Sequence, residues 1–95
     1  MDENEASAIL QEHVQKYRAM PHGELRRLVQ DEEHIEMSGP SGAEYQIEAQ
    51  GVWDEGREGG NMRVMVSIDD GRGLRQFVPK TDSFIVAPDG SFVGE

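Results

Sequence analysis

Three histidines, His13, His22 and His34, are the side chains of this 95-residue chain best suited to metal ligation or to proton transfer near neutral pH. A zinc site draws two or more such ligands from close spacing and completes the set with Cys or carboxylate. Here the histidines stand 9 and 12 positions apart, and none belongs to a His-Glu-x-x-His pattern. Structural or surface roles are therefore expected for all three, and no metal. Asp69-Asp70-Gly71 and Asp89-Gly90 carry oxygen ligands but lack the alternating acids and late Glu of a calcium loop, so both are read as turns. Gly56-Arg57-Glu58-Gly59-Gly60 has the glycines of a phosphate loop without its lysine, and acids flank it. The chain has no Cys and no Gly-x-Ser-x-Gly elbow. No catalytic residue and no cofactor is expected, and an enzyme is the less favoured reading.

Charge is the more informative property. The net charge is −10, and it is uneven. Residues 31–58 hold nine acids against one base, Arg57, a local charge of −8. Such a surface repels phosphate backbones, so nucleic acid is not an expected partner. A basic protein is, with Glu32, Glu33, Glu44, Glu48 and Glu55 steering its approach and Met65 offering an apolar contact. This makes a non-enzymatic interaction protein, of the inhibitor or antitoxin kind, the leading expectation. One alternative is a small-ligand module or minor enzyme with a pocket lined by Tyr45, Trp53 and Phe84. A further alternative is a self-associating domain, a homodimer joined through an exposed strand or a second apolar face. No apolar run reaches the ~18 residues of a membrane helix. Met1-Asp2-Glu3-Asn4-Glu5 is acidic, unlike a secretory signal, and cytoplasmic location is the expectation.

The elements that must position these residues follow from periodicity. Residues 44–53 alternate, with Tyr45, Ile47, Ala49, Gly51 and Trp53 on one side and Glu44, Gln46, Glu48 and Gln50 on the other. That pattern is an antiparallel strand with one face on a core and one in water. Met62, Val64, Val66 and Ile68 repeat it. Ile9, Leu10, Val14 and Tyr17 recur at helical spacing and predict a helix that Pro21 stops. Leu25, Leu28 and Val29 predict a second, shorter one, with His22-Gly23 as the bend. Residues 34–37 are read as a short strand, 74–78 and 83–87 as further strands, and Phe92-Val93 as a last segment. The termini are expected to fray. The expected architecture is α+β: one or two N-terminal helices on one face of a three- to five-stranded antiparallel meander. Residues 1–95 are taken as one domain, helical over 1–30 and sheet over 34–95.

Overall fold

The computed structural model describes residues 3–69 and 80–95. The chain is an α+β fold with its helices at the N-terminal end and a four-stranded antiparallel sheet behind them. Helix α1 spans Glu3–Arg18, with Glu3 and Glu5 in its first turn and Lys16 and Arg18 in its last, both favourable to the helix dipole. Its stripe of Ala6, Ile9, Leu10, Val14 and Tyr17 is buried. Two single turns follow, α2 at His22–Leu25 and α3 at Arg27–Gln30. Arg26 between them keeps helical dihedrals (φ −61°, ψ −20°), so the pair is one short helix with a slight break.

The bend between α1 and α2 lies earlier than expected. His22-Gly23 is already helical, because Pro21, extended at ψ 153°, occupies the capping position and starts the turn. The chain bends over Ala19–Pro21 instead.

The strands are β1 (Glu33–Ser38), β2 (Glu44–Trp53), β3 (Met62–Asp69) and β4 (Lys80–Val86), in the spatial order β1-β2-β3-β4. Adjacent strands pair in register: Ile35 opposite Ile47, Ile47 opposite Ile68, Val64 opposite Phe84. The strand beside β3 begins at Lys80, earlier than the apolar run at 83–87 implies. Lys80, Thr81 and Asp82 are polar, yet they continue the ladder against Ile68, Ser67 and Val66. The hairpin turn expected after Asp69 and the strand expected at 74–78 lie outside the described residues.

Helices α1 and α3 pack on the same face. Helix α1 covers β3 and β4, and α3 covers β2. Between them lie Tyr45, Ile47, Ala49, Met62, Val64, Val66, Ile68, Phe84 and Val86, all buried. Burying each large side chain contributes about 1.5–3 kcal/mol before chain entropy is subtracted. Gly51 permits the close approach of α3. A Cβ there would stand 3.3 Å from Leu28 Cβ, Met62 Sδ and Val29 Cγ2.

Two polar clamps hold the ends. The Glu5 carboxylate accepts bonds from Tyr45 Oη (2.7 Å), Ser41 Oγ (2.7 Å) and Ser41 N–H (2.9 Å), tying the start of α1 to the β1–β2 turn. At the other end Arg18 lies 4.0 Å over the Phe92 ring and donates to the Glu95 carboxylate (2.7 Å). Phe92 meets Phe84 edge-on at 5.7 Å and bridges to Val86. The C-terminus is therefore docked, contrary to the fraying expected from the sequence.

Candidate interaction face

The face of the sheet opposite the helices is built by the even residues of β1 and β2 and the odd residues of β3 and β4. Register sorts it into rows. His34, Glu48, Ser67 and Thr81 form one; Glu36, Gln46 and Asp69 the next toward the β1–β2 turn; Ser38 and Glu44 lie beyond. In the other direction come Gln50, Met65 and Ser83, then Val52, Arg63 and Ile85. Alternation thus divides the face into an acidic half near the β1–β2 turn and a more apolar half toward the opposite end. Val52, Met65 and Ile85 are half-buried there.

The acidic half has an internal electrostatic arrangement. His34 Nε2 lies 3.0 Å from Glu32 Oε1, and Nδ1 lies 3.4 Å from Glu48 Oε1. Both ring nitrogens donate only in the imidazolium form. The Glu32 hydrogen bond, and next the Glu48 charge, hold the His34 pKa above its ordinary value.

The expected site residues divide into groups. Glu44 and Glu48 share this face, four positions apart on one strand, about 13 Å at ~3.3 Å per residue. Glu32 reaches the same face through His34. Met65 is on it also, opposite Gln50. Glu33 does not join them: it faces the helices, 3.7 Å from Lys16 Nζ and 3.6 Å from Arg27 Nη2. It also accepts from the Tyr17 hydroxyl, whose pKa is pushed well above the phenol range by burial first and by Glu33 next. Glu33 is thus a neutralised joint between α1, α3 and β1. Glu55 stands apart in the turn Asp54–Gly56, at φ 58°, beyond the far end of β2.

The three aromatic residues assigned to a pocket do not meet around one. Tyr45 and Trp53 sit at opposite ends of β2, more than ~20 Å apart by strand rise. Tyr45 is in the core with its hydroxyl on Glu5, and Phe84 is in the core beneath Arg18. Trp53 is half-buried, 5.9 Å from the His22 ring and 5.5 Å from the Arg26 guanidinium. His22 is itself buried, its Nε2 2.9 Å from the Gly60 carbonyl, so it latches the β2–β3 loop to α2. His13 hydrogen-bonds through Nδ1 to the Ile9 carbonyl at 3.0 Å. Asp89 accepts from Ser91 N–H (2.9 Å) and Ser91 Oγ (2.6 Å), the hydrogen bonding of a tight turn, which lowers its pKa.

Sequence reasoning passed over Glu36, which lies on the acidic half between His34 and Ser38. The signal was present in the parity of 34, 36 and 38 against Ile35 and Met37. Among the described residues, no three His, Asp or Glu side chains gather as a metal-holding group. Among the described residues, no helix is long and apolar enough to cross a membrane. No family model matches the chain, and no curated protein or solved structure matches it either.

Proposed function

We propose that this protein is a non-enzymatic interaction domain that binds a basic protein partner through the sheet face opposite its helices. The observation that carries the reading is the sorting of charge by the fold. Glu36, Glu44 and Glu48, with Glu32 beside them, project from one half of the face opposite α1 and α3. The neighbouring acid that faces the other way, Glu33, is met by Lys16 and Arg27. Lys16 and Arg27 meet the inward acid, while among the described residues the cation beside Glu32 and Glu48 is His34. A face of this kind accelerates encounter with a cationic surface, and Val52, Met65 and Ile85 supply adjoining apolar contact.

The test is capture from the native cell extract, with the wild-type chain and a Glu44→Gln/Glu48→Gln variant as bait. The expected result is a basic protein retained by the wild type at low salt, released at high salt and weakly retained by the variant. Equal retention by both baits at every salt concentration contradicts the reading.

A further inference from the structure

The two edges of the sheet are finished differently. In an antiparallel ladder, main-chain N–H and C=O groups point to a given neighbour at every second residue and away from it at the others. The phase is set by Gly39 N–H to Ala43 C=O (2.8 Å) and Asp54 N–H to Asn61 C=O (2.8 Å). Counting from these, Ile35 and Met37 bond to β2, while His34, Glu36 and Ser38 turn their main-chain groups outward. On β4 the outward residues are Thr81, Ser83 and Ile85. That edge is partly occupied: Ile85 C=O receives Val93 N–H (2.9 Å), and Ser83 N–H is taken by Asp82 Oδ1 (2.8 Å). Among the described residues, nothing pairs with the outward main chain of His34 and Glu36. The inward side chains of β1 tell the same story. Ile35 and Met37 are half-buried, although their row neighbours Ile47, Ile68 and Tyr45 are 1%, 0% and 1% exposed.

We propose that β1 is a docking edge that takes an extended, basic segment of the partner as a fifth, antiparallel strand. This rests on the acidic-face reading above and supplies its mode. Pleating dictates the pattern of the segment. Lysine or arginine at alternate positions stands on the open face beside Glu36 and the Glu32–His34–Glu48 group. Apolar residues at the intervening positions cover Ile35 and Met37 on the helix side. A second copy fits the edge less well. Each copy carries a net charge of −10, and the His34 that would face Glu36 of the other is already shared by Glu32 and Glu48.

The experiment titrates the full chain with three probes of equal length and charge: an alternating valine–lysine peptide, a block valine–lysine peptide, and the alternating peptide N-methylated on one edge. Affinity and amide hydrogen exchange are read together. The expected result is binding of the alternating peptide about tenfold or more tighter than the other two, with slowed exchange at His34 and Glu36. Glu36→Pro removes an outward N–H without touching the β1–β2 ladder and should abolish the preference; Glu36→Gln should weaken binding only several-fold. The N-methylated probe carries the test on the wild-type chain even if the proline variant fails to fold. Equal binding of all three peptides overturns strand addition and leaves the acidic-face reading standing. Binding of none contradicts both. Protection of the His34 and Glu36 amides that grows with protein concentration, without peptide, overturns the proposal in favour of a second copy.

Discussion

Glu5 shows how one carboxylate can tie distant segments together. Tyr45 and then Ser41 lower its pKa by hydrogen bonding to the charged form. A lowered carboxyl pKa stabilises the fold above the ordinary value of 4.5 and loses that contribution as pH falls through the folded-state value. Glu5→Gln should therefore lower Tm at pH 7, with the deficit shrinking toward pH 3, as thermal scans across that range would show. His34 behaves with the opposite sign. Its pKa is raised, so its pairing with Glu32 and Glu48 stabilises below 6.5 and fades as pH rises through the folded-state value. His34→Asn should cost more stability at pH 5.5 than at pH 8.5; a deficit that grows with pH would contradict the pairing. Gly39 is constrained by crowding. A Cβ there would fall 2.5 Å from Glu5 Oε1 and 2.9 Å from Tyr45 Cε2, so Gly39→Ala should cost about 1–3 kcal/mol in denaturant unfolding.

At the scale of elements, the two faces of the sheet respond to mutation differently. Ile47 and Val66 are buried beneath the helices, and Ile47→Ala should cost about 2–5 kcal/mol. Met65 is half-buried on the other side, and Met65→Ser should change unfolding free energy much less. Equal costs would mean that the open face is as much a core as the covered one. This division was legible from residues 44–53 and 62–68, because a period of two leaves no choice about which side chains travel together. The long helix was legible from Ile9, Leu10, Val14 and Tyr17 in the same way. Short elements were harder to place. His22 reads as a bend because Gly23 follows it, yet Pro21 starts a helical turn that buries the imidazole against Trp53. The beginning of β4 is polar, and its strand character comes from pairing with Val66 to Ile68, a long-range effect that local composition does not carry.

For the whole molecule, the distribution of charge matters more than its sum. The acidic run at 31–58 was visible in the sequence, and alternation already set Glu44 and Glu48 on the water side, but the cations that meet Glu33 were not visible. Register decides that Glu48 looks outward while Glu33 meets Lys16 and Arg27 from α1 and α3. Side-chain pairings such as Arg18 with Phe92 and Glu95 bring the end of α1 to the last residues of the chain across 74 or more positions, beyond the reach of any spacing rule. The resulting body is helical on one side and acidic on part of the other. The most direct measurement of the central claim is the association rate of the captured basic partner across ionic strength, for the wild type and Glu44→Gln/Glu48→Gln. The account predicts a steep fall in rate with salt for the wild type, with the variant several-fold slower at low salt and less salt-dependent. Superimposable rates and slopes for the two proteins would contradict it.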